Sequence, residues 1–310
     1  MKRLLVLAPA FNEEVGLESF SEEVIMTLNK INGLNYKLLF IDDGSEDKTW
    51  EKIVSVSKQH ATIVGIRFTR NFGKDAAIKA GLDTFSDEDA AVCIDADFQH
   101  PPELIEEMIS HWVNGSNLVV AKRLKTEANP IQRRLASYLF QKVNGLTGSG
   151  SIMTKGTDFR LIDKTIIAEF KTMTERTPIF RGAIDWLGFQ PTYVNFVAPK
   201  RAFGNSSFTT ASLIKLAIHG LLSFSSFPFR LAVFCCGLLA FSAFLLFIFA
   251  LLDLLLLKFE LLELSALILG ILAFALMNLS IAIAIIFAYQ LKIADEVIGR
   301  PAYVIKKTTN

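Results

Sequence analysis

The sequence predicts an α/β domain on a mostly parallel sheet, followed by an amphipathic segment and two membrane-spanning helices. Three observations predict it. Short apolar runs alternate with helical patterns through residues 1–200, polar residues cluster directly after those runs, and residues 231–291 are almost uncharged. The 310 residues therefore divide into an α/β domain (1–208), interfacial helices (209–229), a two-helix hairpin (230–292) and a C-terminal tail (293–310).

The strands expected are Leu4–Ala8, Lys37–Ile41, Thr62–Phe68, Ala90–Ile94 and Leu118–Ala121. Between them lie helical patterns near Glu14–Lys30, Lys48–Lys58, Lys74–Asp83 and Pro102–Val113. Strand, helix and strand in repetition mean crossover connections and a parallel sheet. The N-terminus reads as a first strand rather than a leader peptide. Its apolar run, Leu4–Leu7, is short and meets Pro9 and the Glu13-Glu14 pair without a small-residue cleavage site. In parallel sheets ligands bind beyond the carboxyl ends of the strands. Pro9–Glu13, Asp42–Asp47, Arg70–Lys74 and Asp95–His100 would then share one rim. No G-x-G-x-x-G follows the first strand and no G-x-x-x-x-G-K-[ST] occurs, which disfavours dinucleotide and P-loop readings.

Leu231–Leu252 is an uncharged stretch of 22 residues. At the α-helical rise it is roughly 33 Å long, enough to cross a hydrocarbon core. Leu264–Leu291 is likewise uncharged. Lys215 and Arg230 precede the first span, and Lys292, Arg300, Lys306 and Lys307 follow the second. The connection has Lys258, Glu260 and Glu263, so the positive-inside rule puts both termini in the cytoplasm. Asp253 reads either as a carboxylate at the far interface or as a functional intramembrane group. Thr209–Phe229 reads as interfacial amphipathic helices or as a core helix of the first domain. In the interfacial reading it sets the height of the rim above the bilayer. A net charge of +1 does not suggest a nucleic-acid partner. Cys93, Cys235 and Cys236 have no metal-ligand spacing and no disulfide framework.

Asp95-Ala96-Asp97 places two carboxylates at the end of an apolar strand. Hard divalent cations prefer oxygen, and Mg²⁺ takes one or two carboxylates plus substrate phosphates. His100 precedes two prolines and reads as a helix-leading residue rather than a ligand. Asp42-Asp43-Gly44-Ser45 fits base and ribose recognition or an ordinary N-cap and turn cluster.

Pro9-Ala10-Phe11-Asn12-Glu13, Asp42-Asp43-Gly44-Ser45, Arg70-Asn71-Phe72-Gly73-Lys74 and Asp95 through Glu103 resemble the family-2 inverting glycosyltransferases in order and spacing. Thr157-Asp158-Phe159-Arg160-Leu161, Phe180-Arg181-Gly182, Arg201 through Ser207 and the paired spans narrow this to the polyisoprenyl-phosphate glycosyltransferases. That group includes dolichol-phosphate mannose synthases and bactoprenol glucosyltransferases. The resemblance implies a GT-A fold, Rossmann-like with a mostly parallel sheet. It implies a nucleotide-sugar pocket of Pro9, Phe11, Glu13, Asp42, Asp43, Lys74, Asp95 and Ala96, and Mg²⁺ or Mn²⁺ held by Asp95, Asp97 and Gln99. The acceptor implied is polyprenyl phosphate, bound by Arg123, Arg134, Arg201 and Ser137. Arginine suits this task because its planar fork binds phosphate bidentately. Asp158 joins Asp95 and Asp97 in the implied catalytic set, as base or as orienting group. Segments 125–129 and 148–156, with Lys155, read as loops that order on substrate or as plain connectors.

The donor the resemblance favours is UDP-glucose, with GDP-mannose, UDP-N-acetylglucosamine and aminoarabinose donors as alternatives. The implied setting is the inner membrane, as a homo-oligomer such as a tetramer. A processive synthase would carry Gln-x-x-Arg-Trp, and none of Trp50, Trp112 and Trp186 has that context. A non-catalytic scaffold would show loss of Asp95, Asp97 or the arginines, and all are present.

Overall fold

The computed structural model describes residues 2–124, 156–175, 179–197, 227–256 and 261–309. They form two units: an α/β unit that also takes up residues 301–310, and a helical unit ending at residue 300.

The α/β unit carries one eight-stranded sheet in the order β7-β5-β6-β4-β1-β2-β3-β8. Its strands are β1 (Lys2–Ala10), β2 (Leu34–Asp42), β3 (Ile63–Phe68), β4 (Ala90–Cys93), β5 (Leu118–Arg123), β6 (Arg160–Asp163), β7 (Thr192–Phe196) and β8 (Ile305–Thr308). β1 lies parallel between β2 and β4, and β3 lies parallel to β2. β6 runs antiparallel to β4 and β5, and β8 antiparallel to β3.

Both faces of the sheet are covered, which explains the unbroken apolar run in β1. Leu4, Val6 and Ala8 enter one core, with α1 (Leu17–Asn29), α2 (Thr49–Gln59) and α4 (Leu104–Val113). Leu5 and Leu7 enter the other, with α3 (Lys74–Asp83), α5 (Lys164–Thr172) and α6 (Phe180–Trp186). Leu17, Phe20, Val24 and Leu28 give α1 its buried stripe at the helical period. Helix α3 sits close to the sheet because it offers Ala76, Ala77, Ala80 and Gly81. A Cβ on Gly81 would lie 2.7 Å from Leu7 Cδ2.

The four predicted helices and five predicted strands are present, most displaced by a few residues at their ends. β6, β7, β8, α5 and α6 go beyond the sequence reading. The predicted tail is helical as far as Val297, and its residues 305–308 then form the edge strand β8.

In the helical unit, α7 (Phe227–Leu256) and α8 (Leu261–Val297) pack on each other. Arg230–Ile248 and Ile268–Leu291 are long and apolar enough to cross a bilayer, with mean hydropathies of 2.7 and 2.6. Only 17% and 11% of these windows are buried, unlike the core helix of a soluble protein. Segment 209–226, and with it most of the predicted interfacial helices, lies outside the described residues, as do the side chains around Asp253.

Candidate active site

The strand order reverses direction at β1 and β4, and open α/β sheets place their ligand crevice at such a point. The loops after β1, β2, β3 and β4 meet there. Cys93 of β4 pairs with Arg160 of the antiparallel β6. Asp95 follows Cys93 by two residues and Asp158 precedes Arg160 by two, so register brings both carboxylates to one rim. The N-terminus of α3 supplies Lys74 between them. Its ammonium lies 2.6 Å from Asp95 Oδ1 and 3.0 Å from Asp158 Oδ2. Arg181 of α6 contributes two further bonds to Asp158 Oδ1, from Nε at 3.1 Å and Nη2 at 3.0 Å.

These contacts set the protonation states. Burial pushes the Asp158 carboxyl up, but Lys74 and Arg181 outweigh it and hold the group well below the usual carboxylate range. Burial disfavours the Lys74 ammonium, and Asp95 with Asp158 more than offsets this, raising its pKa. Both groups are charged at neutral pH.

Behind them lies a fully buried ion pair. Arg160 Nη1 is 2.8 Å from Asp185 Oδ1, with side chains 0% and 2% exposed. Arg160 Nε also donates to the Thr157 carbonyl at 3.0 Å. This pair ties the loop carrying Asp158 to the helix carrying Arg181.

The turn after β4 is strained. Phe98 has φ +59°, uncommon for a bulky residue, and its ring is anchored edge-on against Phe20 at 5.7 Å. Gln99 N–H donates to Asp97 Oδ1 at 3.1 Å, and Arg123 Nη2 donates to Gln99 Oε1 at 3.1 Å. His100 is buried between Phe159 and Phe196, and its Nδ1 accepts from the Asp95 N–H at 3.4 Å. Burial lowers its pKa, so it supports the turn as a neutral ring. Among the described residues no three His, Cys, Asp or Glu side chains form a metal-holding group. Asp95 and Asp97 flank Ala96 in this turn, and the Lys74 contact shows that Asp95 already binds positive charge.

The loops after β1 and β2 form one wall. Asn12 N–H donates to Ser45 Oγ (2.9 Å), Glu13 N–H to Thr49 Oγ1 (2.9 Å) and Glu46 N–H to Asn12 Oδ1 (3.0 Å). Pro9 and Ala10 end β1 opposite Ile41 and Asp42, with Phe11 just beyond. Asp42 is fully buried, and its Oδ1 accepts from the Ser45 N–H at 2.8 Å. Its Oδ2 lies 3.2 Å from Arg67 Nε without hydrogen-bond alignment, and is the buried side-chain oxygen left without a hydrogen bond among the described residues. The Arg67 guanidinium compensates the buried charge of this oxygen. Asp43 is engaged differently: its two oxygens accept from the Phe72 and Gly73 N–H groups at 2.7 and 2.9 Å. It holds the loop that leads to Lys74. Gly44 has φ +72°, and a Cβ there would lie 2.4 Å from the Arg70 carbonyl carbon, so the two loops touch through backbone.

Residues 5–170 match the model of glycosyl transferase family 2. The chain belongs to that family. This transferase is 33% identical to the uncharacterized glycosyltransferase YkcC of Bacillus subtilis, over 98% of this chain and 93% of that protein. It is 32% identical to the SfII prophage-derived bactoprenol glucosyl transferase of Shigella flexneri, over 99% of this chain and 98% of that one. With the uncharacterized glycosyltransferase sll0501 of Synechocystis it shares 28% identity, over 97% of this chain and 94% of the other.

The structure thus brings Lys74, Asp95 and Asp158 of the transferase into contact, and links Asp97 and Gln99 to Arg123. Arg134, Ser137, Arg201 and Lys155 lie outside the described residues. Sequence reasoning assigned no role to Arg67 or Arg181. Arg67 could have been flagged as the one charge in the apolar strand Ile63–Phe68.

Proposed function

We propose that this transferase moves glucose from UDP-glucose to polyprenyl phosphate with inversion at the anomeric carbon. The observation that carries the reading is the end-to-end likeness, spans included, to a bactoprenol glucosyl transferase. The rim geometry supports it.

The uridine side of the donor lies against the wall of Pro9, Phe11, Glu13 and Asp42, a wall braced by the Arg67–Asp42 ion pair. Asp95 and Asp97, with Gln99 beside them, would hold Mg²⁺ or Mn²⁺, which would supply positive charge against the donor diphosphate. An oxygen of the acceptor phosphate forms the new bond to the anomeric carbon as the bond to the UDP oxygen breaks, and UDP leaves with that electron pair. The acceptor phosphate is already ionised at neutral pH, so no proton need be removed. Asp158 accordingly orients Lys74 and Arg181 and does not act as a base. Those two cations, with Arg123 and the expected Arg134, Arg201 and Ser137, oppose the repulsion between two phosphate-bearing substrates.

The hairpin serves a membrane-bound acceptor. Residues on both sides of it belong to one folded unit. A folded unit is not divided by a bilayer, which supports a paired hairpin with both flanks on one side. The Lys and Arg residues of those flanks support a cytoplasmic position for that side. A homo-oligomer, such as a tetramer, is the assembly we expect.

The donor is tested by incubating membranes that contain the protein with radiolabelled UDP-glucose, GDP-mannose, UDP-N-acetylglucosamine and an aminoarabinose donor. Label should enter the lipid extract from UDP-glucose. Entry from another of these donors alone would reassign the sugar.

A further inference from the structure

We propose that the C-terminal strand β8, with Tyr303, positions the donor pocket from the outer edge of the sheet. This rests on the reading that the wall around Asp42 receives the nucleotide.

β8 covers the exposed edge of β3. Thr69 N–H donates to the Val304 carbonyl (3.0 Å), Thr309 N–H to the Gly65 carbonyl (2.9 Å), and Gly65 N–H to Thr309 Oγ1 (2.6 Å). The pairing is irregular at one place, between Arg67 and Phe68. The extra residue is Lys306 of β8, and a bulge bends the strand that carries it. Arg67 of β3 flanks this bulge and stands opposite Lys307 of β8 on one side and Asp42 of β2 on the other. Its Nε lies 3.2 Å from Asp42 Oδ2, and its Nη2 donates to the Ser45 carbonyl at 2.9 Å. The tail thus reaches the pocket wall through a single intervening residue.

A second route runs beside it. The Tyr303 ring stacks on Phe68 at 5.2 Å with an interplanar angle of 13°. Phe68 meets Phe72 edge-on at 5.7 Å, and the Phe72 N–H is held by Asp43. The Tyr303 hydroxyl donates to Asp83 Oδ2 at 2.9 Å, pinning the last residue of α3, the helix that begins with Lys74. Both routes start in residues that follow the membrane hairpin and end at the pocket wall or the Lys74 loop.

The test uses the full-length, detergent-solubilised protein and UDP as probe. Tyr303→Ala should weaken UDP binding about tenfold, or about 1.4 kcal/mol, and raise KM for UDP-glucose by the same factor. kcat at saturating donor and KM for polyprenyl phosphate should change by less than about twofold, well under that 1.4 kcal/mol. Tyr303→Phe keeps the stack and should retain most of the affinity, while Thr309→Val should show a smaller donor-specific loss. Unchanged UDP affinity in Tyr303→Ala overturns the proposal. So does a loss that accompanies a lowered melting temperature and is absent from Tyr303→Phe and Thr309→Val, because that marks a purely structural role. Asp42→Ala separates the two readings. If it binds UDP like the wild type, the donor-wall reading fails. If it loses UDP while Tyr303→Ala and Thr309→Val do not, only the role of the tail fails.

Discussion

Lys74 Nζ lies 2.6 Å from Asp95 Oδ1, so a protein cation already occupies one oxygen of the carboxylate assigned to the metal. The same ammonium touches Asp158, and two carboxylates are thereby held on either side of one positive charge. Removing that charge leaves both acids facing each other at the rim. Lys74→Met should lower kcat/KM by about a hundredfold, or roughly 2.7 kcal/mol of transition-state stabilisation. Lys74→Arg should not restore it, because a planar fork does not replace a compact ammonium between two carboxylates. Initial rates at fixed acceptor check both variants.

Asp158 makes a prediction about pH. Burial raises its pKa, and Lys74 with Arg181 lowers it further than burial raises it. A depressed carboxyl contributes stability above the ordinary Asp range, near pH 4, and loses it only as pH falls through its own lower value. The carboxylate is therefore ionised at every working pH. Asp158→Asn should lower kcat/KM without changing the shape of its pH dependence between about pH 5 and 9, a range well above an ordinary Asp. An acidic limb near pH 6 in the wild type that vanishes in Asp158→Asn would make Asp158 the base after all.

Much of this was legible in the sequence, for identifiable reasons. β1 to β5 announce themselves because strands buried on both faces are continuously apolar, and each is followed by polar residues. β6 does not, because Arg160-Leu161-Ile162-Asp163 is short and opens on a charge whose partner, Asp185, lies far along the chain. β8 is polar and exposed, as an edge strand is, and reads as tail. Asp95, Asp97, Lys74 and Asp158 were each visible as motif residues. Their contact depends on the antiparallel register of β6, which no local pattern reveals. Asp43 stands out in the sequence as an acidic residue directly after a strand. Only coordinates show its oxygens bonded to the Phe72 and Gly73 N–H groups.

Asp43 gives a second pH prediction, of opposite sign. Burial pushes its carboxyl up to about 6 from 3.8, against the two backbone bonds it accepts. The folded protein then binds this proton more tightly than the unfolded chain. Its stabilising contribution is full below the ordinary value and is lost as pH rises from about 4 to about 6. Asp43→Asn should remove that slope, so that its melting-temperature deficit relative to the wild type shrinks between pH 4 and pH 7, a span that brackets both values. A constant deficit would contradict the assignment.

The Arg160–Asp185 pair predicts a non-additive result. Arg160→Met leaves a buried carboxylate uncompensated and should cost about 3–5 kcal/mol. Arg160→Met combined with Asp185→Leu removes both charges and should recover most of that. Thermal unfolding of the solubilised protein measures each. The double variant should still have reduced activity, because the loop carrying Asp158 has lost its tie to the helix carrying Arg181.

Group transfer to the lipid is the most direct test of the proposed function. Purified protein is incubated with UDP-[¹⁴C]glucose and polyprenyl phosphate in detergent, with and without Mg²⁺ or Mn²⁺. Lipid-extractable label should equal the UDP released, depend on the divalent cation, carry the inverted anomer, and disappear in Asp95→Asn. Release of UDP with no label in the lipid, or equal transfer by Asp95→Asn, would contradict it.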